Sequence, residues 1–162
     1  MALEIERRFL IKNDNWKEFV TKKIFIEQGY LSKNLDDWII RIRFSGKKYK
    51  IALKKHIESF TNLEFEYSIP QKDGDIIMSN LSNTIKKERF FLDVEKKSWI
   101  IDCFKENNYP LKIAEIELSN EEEDLILPSF ISKEITGLIH YSNFSLTNKP
   151  FSKWKDDNLK TL

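Results

Sequence analysis

The stretch ALEIERRFLI (2–11) alternates in character with a period of two residues: Glu4, Glu6 and Arg8 share one face of an extended chain, and Leu3, Ile5 and Phe9 take the other. The same rhythm recurs along the chain. It predicts strands at 2–11, 24–31, 37–45, 47–54, 62–69, 84–93, 97–104 and 111–118, with tight reversals at Ser45-Gly46 and Glu95-Lys96 joining neighbours as antiparallel hairpins. Helices are expected in the gaps. One covers Asp14 to Lys23, where Trp16, Phe19 and Val20 fall on one side, and a second covers Gly74 to Asn83, with Ile76, Ile77 and Leu81 as its apolar stripe. Two more are expected from Pro128 to about Glu134 and from Leu138 to Leu146. Eight strands with few helices imply a mainly β (α+β) fold, an eight-stranded antiparallel closed β-barrel with a few covering helices, over one domain spanning 1–162.

The polar faces of these strands carry the chemistry. Arg41 and Arg43 align opposite Ile40, Ile42 and Phe44, and Lys50 and Lys54 align across Ala52. Glu64 and Glu66, Lys87 and Arg89, Asp102, and Glu115 and Glu117 follow in turn. A single such pair is what the wet face of any antiparallel sheet offers. Six same-sign pairs on separate strands are different, because an ordinary solvated sheet mixes signs to gain cross-strand attraction. Segregation by strand makes sense if each set has its own ligand. Paired carboxylates supply hard oxygen donors for Mg²⁺ or Mn²⁺, and guanidiniums and ammoniums match polyphosphate oxygens. Closing the sheet turns the polar face inward as a water-filled tunnel and leaves the apolar face outward, to be covered by helices.

Composition narrows the setting. The 162 residues are 41% apolar, enough for one well-buried core. With 27 basic against 26 acidic side chains, the net charge of +1 gives no reason to expect nucleic acid or an anionic membrane as partner. Cys103 is the single cysteine, the N-terminal residues are charged from Glu4 onward, and no apolar run approaches a membrane span, so a cytoplasmic protein is expected. Outward apolar residues that helices leave uncovered would serve a homodimer. His56 reads as a loop residue and His140 as a surface or cap residue; Cys103 should point outward into apolar packing. The tail from Lys149 to Lys160 reads as a docking or fraying segment.

These residues resemble the CYTH superfamily, the triphosphate tunnel metalloenzymes. EIERRFLI (4–11) is similar to the family's N-terminal ExExK signature, RIRF (41–44) to its paired-arginine strand and YKIALK (49–54) to its lysine-ending strand. LEFEYSI (63–69), KKERF (86–90), WIID (99–102) and AEIEL (114–118) resemble the later signatures in order, and KEITGLIHYSN (133–143) resembles the closing segment. The resemblance implies metal-dependent hydrolysis of a triphosphate, inorganic tripolyphosphate by preference because no base-recognition element is visible. Nucleoside or thiamine triphosphate hydrolysis, class IV adenylate cyclase activity and a non-catalytic polyphosphate- or nucleotide-binding module are the alternatives. Carried over, Arg8, Arg41, Arg43, Lys54, Lys87 and Arg89 grip phosphate, and Lys50 shares their inward face by alternation. Glu4, Glu6, Glu115 and Glu117 are implied as the principal metal ligands. Glu64, Glu66 and Asp102 complete the acidic side, binding a second ion or orienting water and bases. The signature lysine is Arg8 in this sequence, and a guanidinium cannot accept a proton from water. If the family's base sits at that position, this chain must use another group or a metal-bound hydroxide, or hydrolyse slowly; Lys54 and Lys87 are the candidate groups, provided that crowding by like charge lowers their pKa.

Overall fold

The computed structural model describes residues 3–34 and 37–154. Strand β1 (Leu3–Ile11) is followed by a 3₁₀ turn, Asn15–Phe19, and then by β2 (Val20–Tyr30), β3 (Ile39–Ser45), β4 (Lys48–Glu58) and β5 (Thr61–Ile69). Helix α1 (Gln71–Ser79) leads to β6 (Thr84–Val94), β7 (Lys97–Phe104) and β8 (Lys112–Glu117). A short β9 (Ile131–Glu134) and helix α2 (Asn143–Asn148) follow. The strands form one antiparallel sheet in the order β5-β4-β3-β2-β6-β7-β8-β1-β9, and β5 pairs with β1 to close eight of them into a barrel. Both expected hairpin reversals are present. Gly46 (φ 68°) turns β3 into β4, and Glu95 and Lys96 (φ 50° and 64°) supply the two left-handed residues that match the twist of the β6–β7 hairpin.

Helix placement departs from expectation in three places, twice because strand pairing wins and once because a capping residue divides the segment. Over Asp14–Lys23 only one 3₁₀ turn forms: β-branched Val20 and Thr21 begin β2, which pairs with β6 along its length. The stretch after Pro128 is not helical. Strand β5 reaches β1 only as far as Ile5, so the edge of β1 beyond it is open, and β9 docks there through Phe9↔Glu134 and Ile11↔Ile131. Leu138–Leu146 is broken at Ser142, whose extended backbone ends one 3₁₀ turn and whose hydroxyl caps α2 by accepting from the Ser145 amide.

The apolar residues form two bodies. Outside the barrel, Phe9, Leu92, Trp99, Ile101, Ala114 and Ile116 pack beneath Trp16, Phe130 and Ile131, so this outer face is covered by irregular segments. Helix α1 lies over β3 and β4, with Gly74 against the Tyr49 ring and Tyr49 Oη hydrogen-bonded to Asp75. The second body corrects the expectation of a water-filled tunnel throughout. Ile85, Phe104, Leu111 and Ile113, on the strand faces that elsewhere carry charge, join Ile135, Tyr141, Leu146 and Trp154 and seal one end of the interior. The C-terminal segment is the plug of that end. Residues beyond Trp154, including the second half of the expected basic tail, lie outside the described residues.

Candidate active site

Strand order sorts the interior charges. Strands β6, β2, β3 and β4 are consecutive around the barrel and contribute Lys87, Arg89, Arg41, Arg43, Lys50 and Lys54; β5, β1, β8 and β7 are likewise consecutive and contribute Glu64, Glu66, Glu4, Glu6, Glu115, Glu117 and Asp102. A cationic half-wall thus faces an acidic half-wall, with Arg8 planted on the acidic side. The seven bases and seven acids cancel, so an anion drawn inside brings uncompensated charge unless a cation comes with it.

The two half-walls are cross-linked. Asp102 is fully buried and spends both oxygens on bases: Arg89 Nε and Nη2 donate to it at 2.7 Å each, and Lys87 Nζ adds a short bond. Arg89 Nη2 also reaches Glu115 at 3.1 Å. Arg41 Nη2 bridges Glu64 (2.9 Å) and Glu66 (3.0 Å), Lys54 bonds Glu4, and Lys50, exposed at the rim, bonds Glu66 at 2.6 Å. Arg8 donates through Nε to Glu115 at 3.3 Å and through Nη2 to the Tyr141 carbonyl at 2.9 Å, which ties the acidic wall to the plug. Three buried side-chain polar atoms have no hydrogen-bond partner among the described residues: Arg41 Nε and Glu64 Oε2 in this lining, and Trp16 Nε1 outside it.

Electrostatics separates the candidate proton carriers. Burial disfavours the Lys54 ammonium, but Glu6, Glu4 and Glu64 outweigh it and raise its pKa, so Lys54 stays charged. Burial, aided by the Arg89 and Arg43 guanidiniums and opposed by Asp102, pulls Lys87 down to about 8. Burial also works against the Asp102 carboxylate, yet Arg89 and Lys87 hold its pKa well below the usual range. Glu6 moves the other way. Burial, then the neighbouring Glu115 carboxylate, pushes it up to about 7 against the pull of Lys54.

Glu6 stands where three cavities meet. One, of about 430 Å³, opens past Glu4, Glu115, Glu117 and Arg89 toward the β6–β7 hairpin. Another, of about 370 Å³, leads past Arg8 and Lys54 to a side window between the β4–β5 hairpin and the segment from Thr136 to Ser142. A third, of about 120 Å³, lies inward between Arg8, Tyr30, Arg41 and Lys54.

Among the described residues, no three acidic, histidine or cysteine side chains converge as a ready-made cation cage. The donor set still suits a hard divalent ion: it is all oxygen, Glu6 lies opposite Glu117 in register, and the raised Glu6 pKa marks a carboxylate short of positive charge. Glu117 is exposed at the same mouth.

Charge patterning overlooked three residues. Gln28 and Tyr30 point inward from β2, and Asn143 Oδ1 accepts from Lys87 Nζ at 3.0 Å. The two β2 residues were legible from alternation alone, since they continue the face of Ile24 and Ile26. Histidines play minor parts: His56, on β4 and not in a loop, lines the side window, and His140 stacks edge-on to Trp154. Cys103 packs outward as expected, and burial pushes its thiol up to about 11.

No family model matches the chain. An inorganic triphosphatase of Acetivibrio thermocellus, however, is 32% identical over 158 residues, covering 96% of this chain and all of that protein. The chain belongs to the triphosphate tunnel (CYTH) family. A second inorganic triphosphatase, from Nitrosomonas europaea, is 24% identical over 147 residues, covering 88% of the chain and 95% of that protein. The crystal structure of the inorganic triphosphatase NE1496 superimposes with a TM-score of 0.67 at 25% identity, covering 91% of this chain and 95% of that one. As a triphosphate tunnel protein this one departs from the signature at Arg8, and the structure shows where that guanidinium is used: it bridges Glu115 and the plug.

Proposed function

We propose that the chain, as a single tunnel domain, hydrolyses a linear triphosphate, inorganic tripolyphosphate by preference, with Mg²⁺ or Mn²⁺ as cofactor. The observation that carries this reading is the division of the barrel wall into a basic and an acidic half of equal charge, in a chain whose relatives are named inorganic triphosphatases.

Arg41, Arg43, Lys54 and Arg89 bind phosphate oxygens, with Lys50 at the rim and Lys87 deepest. Fixed on strands, they hold the triphosphate in one pose and offset charge that shifts as the phosphoanhydride bond breaks. Glu4, Glu6, Glu115 and Glu117 would hold the ion, which when bound polarises phosphoryl oxygen and activates water. Asp102, with both oxygens on bases, orients Lys87 and Arg89; Glu64 and Glu66 align Arg41 and Lys50. Arg8 binds phosphate and anchors the plug but cannot take a proton. Lys87, with its lowered pKa, is the base able to release and accept one at Nζ near neutral pH.

The test is phosphate release from tripolyphosphate, ATP and thiamine triphosphate with Mg²⁺ or Mn²⁺ and with chelator. Metal-dependent release, fastest on tripolyphosphate, is expected. Tight binding without turnover on any of the three replaces the enzyme by a polyphosphate-binding module. The same reading places the protein in the cytoplasm, away from nucleic acid and membrane; among the described residues no helix is long and apolar enough to cross a bilayer. A homodimer would use outward apolar residues such as Phe65 and Tyr67, and light scattering measures it.

A further inference from the structure

Two neutral side chains stand inside the cationic half-wall. Gln28 and Tyr30 share the inward face of β2, and in register Gln28 lies opposite Arg43 and Tyr30 opposite Arg41. Gln28 is completely buried, so its amide needs partners. Its Oε1 accepts from Arg43 Nε at 3.0 Å, and its Nε2 donates to the Tyr30 hydroxyl at 2.8 Å. A guanidinium can only donate, which fixes the amide orientation and makes the Tyr30 oxygen an acceptor. The Tyr30 O–H proton itself has no acceptor among the described residues. Phe144 of α2 packs edge-on against the Tyr30 ring, centroids 5.3 Å apart at 72°, and holds the phenol in place. Tyr30 lines the inward cavity with Arg8, Arg41 and Lys54, where Arg41 Nε is also without an acceptor.

We propose that Tyr30 donates its phenolic O–H to a phosphoryl oxygen of the bound triphosphate, and that Gln28 is the positioning residue holding Tyr30 and Arg43 for that contact. This rests on the triphosphate reading given above. A neutral donor has a particular use here. Arg41, Arg43, Lys54, Lys87 and Arg89 already crowd one half-wall, and a further cation would add repulsion, whereas a phenol adds a hydrogen bond to the anion at no cost in charge. Gln28 acts likewise: it satisfies a buried guanidinium without neutralising it, leaving the full charge of Arg43 for the ligand.

The experiment measures tripolyphosphate binding by calorimetry, and kcat and KM by phosphate release, for wild type, Tyr30→Phe, Gln28→Glu and the double variant. Tyr30→Phe keeps the ring and its packing on Phe144 and removes only the hydroxyl; affinity falls roughly 10- to 100-fold, the worth of one hydrogen bond to a charged group. In Gln28→Glu the carboxylate captures the Tyr30 proton and also pairs with the charge of Arg43, so affinity falls further than in Tyr30→Phe, and adding Tyr30→Phe to Gln28→Glu weakens binding no further. A purely structural role for the pair would lower the melting temperature and leave affinity unchanged. Wild-type affinity in Tyr30→Phe overturns the proposal while leaving the triphosphate reading intact. A wild type that binds no tripolyphosphate overturns both. Should Gln28→Glu not fold, Tyr30→Phe, which buries no new charge, decides alone.

Discussion

Replacing Glu6 by glutamine should make the protein more stable above neutral pH while abolishing its metal-dependent turnover. Glu6 carries a pKa raised from 4.5 to about 7, by burial first and by Glu115 second, with Lys54 opposing. A carboxyl group whose folded pKa lies above its unfolded value binds its proton more tightly when folded. Stability therefore falls as pH rises from about 4.5 to about 7 and stays low beyond. The full shift of about 2.5 units corresponds to roughly 3 kcal/mol at 1.36 kcal/mol per unit. That figure is already net of the attraction of Glu6 for Lys54 and for Arg8, 3.6 Å away. The cost of burying the glutamine amide offsets part of it, and a gain of about 1–2 kcal/mol is the expectation, equivalent to a rise of roughly 2–8 °C in melting temperature for a chain of this size. Thermal unfolding followed by circular dichroism near pH 5 and near pH 8 is the assay. The two proteins should melt together at the acid end, where the folded wild type is protonated, and separate at the alkaline end. Added Mg²⁺ should close the gap by stabilising the wild type alone. A variant less stable than wild type at both pH values, or one whose difference does not change with pH, refutes the claim that Glu6 is a carboxylate short of positive charge.

Asp102→Asn leaves Lys87 and Arg89 buried without their shared counter-charge, and urea unfolding should register a loss of about 3–5 kcal/mol. Gly74→Ala places a methyl group 2.1 Å from the Tyr49 ring; α1 must move off β3 and β4, and a destabilisation of about 1–3 kcal/mol is expected in the same measurement. Arg8→Lys keeps the charge but gives up the fork that joins Glu115 to the Tyr141 carbonyl, lowering stability by about 1 kcal/mol. Because an amine can release a proton where a guanidinium cannot, its pH–rate profile should also gain turnover at alkaline pH; an unchanged profile denies a proton role to this position.

The barrel and its charged lining were legible because both obey the same period. A strand that alternates Arg41, Arg43 against Ile40, Ile42 declares its type and its two faces together, and strand order then brought the like-charged strands side by side. What escaped notice lacked that signature. Gln28 and Tyr30 sit on the correct face but are neutral, so a search by charge passes over them. Ile85, Phe104 and Ile113 share faces with Lys87, Asp102 and Glu115, and no rule of alternation says that the same face turns from wet to apolar part-way along the barrel. That boundary is set by the C-terminal plug, a contact between residues far apart in the chain. Strand β9 was missed because its four residues form a strand only to fill the edge that β5 leaves open on β1.

The same ion pairs that hold the interior together set the terms on which it can bind. Arg43 rests on the neutral Gln28, but the other bases proposed to bind phosphate already have carboxylate partners: Arg41 has Glu64 and Glu66, Lys54 has Glu4, and Arg89 has Glu115 besides Asp102. A triphosphate that takes these bases sets carboxylates free in an enclosed space, where unpaired charge is costly. Those freed oxygens are the hard donors a divalent cation needs, and they lie on the half-wall opposite the phosphates. In a lining whose charges cancel, each ligand thus creates the site of the other, and the two must bind with positive coupling in both directions. Asp102 stands outside this exchange, since Lys87 and Arg89 together occupy both of its oxygens. It keeps the deepest bases aligned while the pairs nearer the mouths change partners.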